Sequence, residues 1–343
     1  MSRYAILVEG AFDYLLAKTG NALLRYRPEE VACIIDSETA GRTAEDVLGW
    51  GGRIPVVEDL DKALDFRPDT LLIGTAPPGG QLPESWRHTV RQAIGQKLRV
   101  VSGLHTFLSE DSEFADLARE NGTTLVDLRK PPEPLPFSKG SWRWRETPVV
   151  LTVGTDCDTG KMTTAWEAKI RLEQTGKRVA FVGTGQTGIL LGGYGVAVDA
   201  VASDFVAGSI EDQIDRAAGE KDVIVVEGQG SLTHMAYSGV TLGLLHGSMP
   251  DMMILCHEPG RERDTFDYPM KPVKEIMDLY LRLVTVFRET RFVGISLLTY
   301  RMDETTARET IQSYRTRYGI PAADLVRFGD EGITEAILHR LGD

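Results

Sequence analysis

"VVLTVGTDCDTGKMTTA", Val149 to Ala165, decides how the second half of the chain is read. The apolar run Val149–Val153 predicts a buried strand, and the residues from about Met162 onward predict a helix. Between them lies a loop that opens on Gly154 and closes on Gly160-Lys161. Strand, glycine-bounded loop and helix N-terminus together turn backbone amides toward one anionic spot, and the lysine adds a mobile positive charge. The expected phosphate-binding residues are therefore Gly154, Thr155, Asp156, Asp158, Thr159, Gly160, Lys161, Met162 and Thr163. Two details depart from the usual phosphate loop. Five residues separate the glycines rather than four, and Met162 stands where a Ser or Thr hydroxyl normally holds the magnesium of a bound nucleotide.

Outward from this loop the chain alternates strand-like and helix-like segments. A length of 343 residues predicts two domains. In the first, "YAILVEG", "VACIID", "TLLIGTA", "RVVSG" and "TTLVDL" read as short strands with amphipathic segments between several of them, which predicts a Rossmann-like parallel sheet. The G-x-G-x-x-G fingerprint is missing after the first strand, so a nicotinamide or flavin cofactor is not supported. Residues 129–147 carry four prolines in their first eight positions and read as a linker, which places a Rossmann-like domain at 1–128 and a P-loop α/β domain at 148–343. Trp142 and Trp144 are expected to be packing anchors.

Composition limits the partners. The net charge of -12 repels polyanions and no basic stripe offsets it, so nucleic-acid binding is not expected. No apolar run approaches the roughly 18 to 20 residues of a membrane span, and the start of the chain lacks a signal-peptide pattern, so the expectation is a soluble, cytoplasmic protein without a membrane partner. Cys33, Cys157 and Cys256 are too far apart for a disulfide framework or a zinc motif; only Cys157 lies in a loop positioned to touch a ligand.

Three further stretches carry chemistry. "DVIVVEGQGSLTH" puts Glu227 at the C-terminal end of a strand, where it can hold a metal-bound water, accept a proton from an amine, or cap the turn through Gly228 and Gly230. The glycine-dense stretch 181–208 offers Thr184, Gln186 and Thr187 as ligand contacts, with helix capping as the alternative. His234, His246 and His257 have no ligand spacing, so no metal is expected at them, while Arg261 and Arg263 either clamp carboxylates or belong to a charged turn.

The loop form itself is similar to that of dethiobiotin synthetase-like P-loop enzymes. Taken together, "LTVGTDCDTGKMTTA", "GTGQTGILLGGYGVAVDAVASDFVAG", "EGQGSLTHMAYSGVTLGLLHGSMPD", "CHEPGR", "IIDSETAGRTAEDV" and "PFSKG" resemble a bacterial and archaeal family that includes D-glutamate N-acetyltransferase, across nearly the whole chain. The resemblance implies acetyl transfer from acetyl-CoA, as co-substrate, to the amino group of D-glutamate or a related amino acid. The CoA phosphates would rest on Gly154 to Thr163 and stay intact, so Met162 costs little, although Thr163 or Thr164 could still reach a metal. Glu227 with His234 would act as the base, Arg261 or Arg263 would hold substrate carboxylate, and a homo-oligomer is expected. Two alternatives stay open: an ATP- and Mg-dependent ligase or kinase, and a nucleotide- or CoA-sensing module without turnover.

Overall fold

The computed structural model describes residues 2–14, 16–75 and 77–342. Ala76, the last residue of the expected strand "TLLIGTA", lies outside the described residues. The chain divides between Lys130 and Pro131 into two compact units.

The first unit has six parallel strands, β1 (Tyr4–Leu7), β2 (Val31–Ile35), β3 (Val56–Val57), β4 (Thr70–Ile73), β5 (Arg99–Ser102) and β6 (Leu125–Asp127). Their order is β3-β2-β1-β4-β5-β6, the Rossmann order. The strands β1, β2 and β4 are buried, and the edge strand β6 half-buried, because helices such as Glu84–Gly95 and Ser112–Asn121 cover the sheet, as parallel sheets require.

The second unit repeats the principle with β7 (Val149–Gly154), β8 (Val179–Val182), β9 (Val223–Val226), β10 (Met252–His257), β11 (Arg291–Leu297) and β12 (Ala322–Ala323), ordered β12-β11-β10-β7-β9-β8. Strand β7 is central, with Leu151 beside Val226 of β9 and Gly154 beside Cys256 of β10. The C-terminal ends of β7, β9 and β10 therefore lie side by side, where ligands of open α/β sheets bind. Cys33 and Cys256 are buried in strands.

The proline-rich segment is bound down in its second half. The Glu211 carboxylate, on the helix Ser203–Ala218, accepts hydrogen bonds from Ser138 Oγ and from the amides of Lys139 and Ser141. Trp142 packs against the core, whereas Trp144 is exposed under Arg143. Among the described residues no helix is long and apolar enough to cross a membrane.

Candidate functional site

The loop after β7 has the form its sequence promises. Gly160 stands at the N-cap of the helix Lys161–Gln174 with φ of 88°, a left-handed conformation that favours glycine. That helix has no side-chain cap and no acid in its first turn, so its leading N–H groups and positive dipole end are left for a ligand. Lys161 is only 7% exposed; its Nζ donates to Asp156 O at 2.6 Å and to Thr159 Oγ1 at 3.4 Å. Burial lowers its pKa, so an incoming anion would stabilise the charged form. The loop is held from beneath: Thr155 N donates to Cys256 O at 3.1 Å, and Thr155 Oγ1 lies 2.9 Å from Nδ1 of His257. Burial, with a smaller contribution from Arg261, pushes His257 down to about 4, so it is a neutral strut at physiological pH.

One of the two threonines that follow Met162 is committed elsewhere. Thr164 Oγ1 is buried and donates to Ser296 Oγ at 2.8 Å, pointing into the core, while Met162 and Thr163 are half-buried.

Glu227 follows directly after β9 and is 3% exposed. Its Oε2 accepts the amide N–H of Thr184 at 2.8 Å and of Gly185 at 3.2 Å, so the carboxylate is bound by the turn after β8 rather than by its own Gly228-Gly230 turn. Gly188, in the helix Gln186–Gly192, leaves room for it; a methyl group there would collide with Oε2. Burial pushes Glu227 up to about 7 despite the two amide hydrogen bonds, and Lys161 is close enough to pull in the other direction. A carboxyl with that value exchanges protons near neutrality, as a general base must. Gln186 begins its helix half-buried next to this turn, and Gln229 Nε2 donates to Thr184 Oγ1 at 3.1 Å.

His234 occupies a different setting. It is 1% exposed, with Nε2 2.9 Å from Thr265 Oγ1 and Nδ1 accepting the Ala236 N–H at 3.2 Å, and its ring stacks on Tyr237. With Thr155, Asp156, Thr233, Tyr268 and Lys271 it lines a cavity of about 170 Å³ beside the phosphate loop. Glu227 is not part of that wall. The two expected proton-transfer residues thus flank the loop from separate positions.

The arginines also part company. Arg261 is committed to the loop: Nη1 donates to Asp156 Oδ2 and to Cys157 O, each at 2.8 Å, and Nε donates to Glu258 Oε2 at 2.8 Å. Arg263 is exposed and bonds Asp267. The cation in the cavity wall is Lys271, which shares that wall with the acids Asp156 and Asp264. Its place in "DYPMK" gives no spacing signal, so sequence reasoning passed over it.

A second omission is Tyr280. Its buried hydroxyl donates to Gly154 O at 3.1 Å and accepts the Leu232 N–H at 3.3 Å, joining the start of the phosphate loop to the loop that carries His234. Thr152 does the same one layer deeper: Oγ1 accepts from Gly228 N at 2.9 Å and donates to Lys161 O at 3.1 Å.

With this geometry in hand, comparison places the chain among known proteins. A P-loop domain of unknown function, DUF1611_C, matches residues 136–334, and its companion Rossmann-like domain, DUF1611_N, matches residues 37–131. A relative from Tritonibacter scottomollicae named D-glutamate N-acetyltransferase is 35% identical over 338 residues, 97% of this chain and 98% of its own. The chain belongs to the D-glutamate N-acetyltransferase family. A second relative of that name, from a Pseudoalteromonas species, is 32% identical over 96% of this chain and 97% of its own. The crystal structure of a DUF1611 family protein from Anabaena variabilis superposes with a TM-score of 0.94 at 35% identity, covering 99% of this chain and all of that one. The Rossmann-like and P-loop halves expected from sequence are both matched by the DUF1611_N and DUF1611_C models.

Proposed function

We propose that this member of the family transfers an acetyl group from acetyl-CoA to the amino group of D-glutamate, and that the phosphate loop grips the carrier. The observation that carries the reading is the adjacency of an uncapped helix N-terminus with its buried lysine to a buried acid that titrates near 7. The first suits a phosphorylated carrier that leaves with its phosphates unbroken. The second suits removal of a proton from an attacking amine. Phosphoryl transfer would call on a metal-holding hydroxyl after Lys161, and the chain has Met162 there, with Thr164 turned to Ser296.

In this reading Gly154 to Thr163 bind the CoA phosphates, with Lys161 releasing Asp156 O to meet them. Glu227 takes the ammonium proton, and the freed amine attacks the thioester carbonyl. Backbone amides of the glycine-rich turns stabilise the tetrahedral oxyanion, and its collapse expels the CoA thiolate, which takes up the second proton that the acetylated nitrogen gives up, leaving the neutral amide and the thiol. Lys271 meets a carboxylate of the acceptor in the 170 Å³ cavity, a role for which Arg261 would have to leave three acceptors and Arg263 is turned to Asp267.

The test is thiol release from acetyl-CoA by the purified chain with D-glutamate, L-glutamate or neither, alongside phosphate release from ATP. Thiol release that requires D-glutamate, with no phosphate liberated, is expected. ATP cleavage that requires the amino acid would replace this reading with a ligase or kinase, and the absence of turnover with either donor would leave a sensing module.

A further inference from the structure

We propose that Asp156, Cys157 and His234 form a binding site for a divalent transition-metal ion, zinc by the chemistry of the set, where the phosphate loop meets the cavity. A carboxylate oxygen of Asp156, the sulfur of Cys157 and a ring nitrogen of His234 lie within 4.8 Å of one another, close enough for one ion to bridge all three after small side-chain adjustments. Asp156 supplies an independent indication. The residue is fully buried, and while Oδ2 is held by Arg261 Nη1 at 2.8 Å and Thr265 N at 3.1 Å, Oδ1 has no hydrogen-bond partner. An orphaned buried acceptor is costly, and a cation removes the cost. The partners of Oδ2 meanwhile fix the carboxylate as outer-shell groups fix metal ligands.

His234 can join at the loss of one hydrogen bond. Because Nδ1 accepts the Ala236 N–H, its lone pair is already in place, and coordination there displaces that amide; coordination through Nε2 displaces Thr265 Oγ1 and sends the ring proton elsewhere. Cys157 loses its proton to solvent as the sulfur–metal bond forms. Sulfur, nitrogen and oxygen donors together suit zinc, whereas magnesium calls for oxygen ligands in an octahedron. Three protein donors leave a fourth position, and both Asp156 and His234 line the cavity into which it can open. The site differs from the usual magnesium position of a phosphate loop, where Met162 replaces the hydroxyl residue, and it binds its ion whether or not the chain transfers acetyl groups.

The experiment needs no substrate. The full chain is stripped with chelator, dialysed against zinc and analysed for bound metal, with affinity measured by calorimetry. One equivalent per chain is expected. Cys157→Ser and His234→Ala should each weaken binding by more than about 100-fold, exceeding what outer-shell changes do, while His246→Ala leaves it unchanged. Cobalt loading of the unmodified chain should produce a thiolate-to-metal charge-transfer band that Cys157→Ser abolishes, a reading that does not depend on His234→Ala folding. No stoichiometric zinc, zinc retained at full affinity by both variants, or a cobalt spectrum without the thiolate band would each overturn the proposal, and none of them bears on acetyl transfer.

Discussion

Replacing Glu227 with Gln separates the acid's charge from its shape. The carboxyl is buried, receives two amide N–H groups and sits at about 7 instead of an ordinary 4.5. That difference corresponds to about 3 kcal/mol in favour of the protonated form in the folded chain. Because the folded value lies above the unfolded one, the stabilisation is fully present below pH 4.5 and is lost as pH rises through 7. Glutamine keeps an oxygen for the Thr184 and Gly185 amides and has no charge to desolvate. Relative to wild type, Glu227→Gln should therefore gain about 2 kcal/mol of stability between pH 5 and pH 8, read from urea denaturation at the two values. The same substitution should lower kcat by roughly 10²- to 10⁴-fold, leave the KM for acetyl-CoA within about twofold, and remove the rise of kcat through pH 7. A variant that turned over at the wild-type rate, or whose stability gain did not change with pH, would refute the assignment.

Lys161→Ala should weaken CoA binding by about 10- to 100-fold in calorimetry, since it deletes a charge-assisted contact to phosphate, with a smaller effect on the chemical step. Lys271→Met should raise the KM for D-glutamate and leave that for acetyl-CoA unchanged in steady-state assays; equal effects on both would remove it from the acceptor site. Gly188→Ala, which drives a methyl group against Glu227 Oε2, should cost about 1–3 kcal/mol in urea denaturation and lower kcat as well. If Gly188→Ala left both quantities unchanged, the packing described around Glu227 would be wrong.

What could be read from the sequence was local. Val149–Val153 and Gly160-Lys161 announce a strand, a loop and a helix start within a dozen or so residues, and Glu227 shows itself as an acid ending a four-residue apolar run. The two-residue strands Val56–Val57 and Ala322–Ala323 are too short to show any period. Arg261 reads as a clamp for substrate carboxylate or as part of a charged turn until the fold brings Asp156, 105 residues away, against it. Tyr280 follows Val273, Ile276 and Met277 at helical spacing and so looks like one more core side chain, which it is except for its hydroxyl. Cys157 and His234 lie far apart in the chain, and spacing along it carries no sign of a meeting made in space. Lys271 and Arg263 are alike to a sequence reader, and only the cavity wall tells them apart.

The Tyr280 hydroxyl has a mechanical meaning as well. Its helix, Val273–Thr285, contributes no group to the proposed chemistry, yet one phenol on it ties Gly154 to Leu232. The gap between them behaves like the jaw setting of a vice whose screw is mounted behind the workbench: a change in how the helix seats, through Ile276 or Val284, would respace the jaws without altering any group that grips the work.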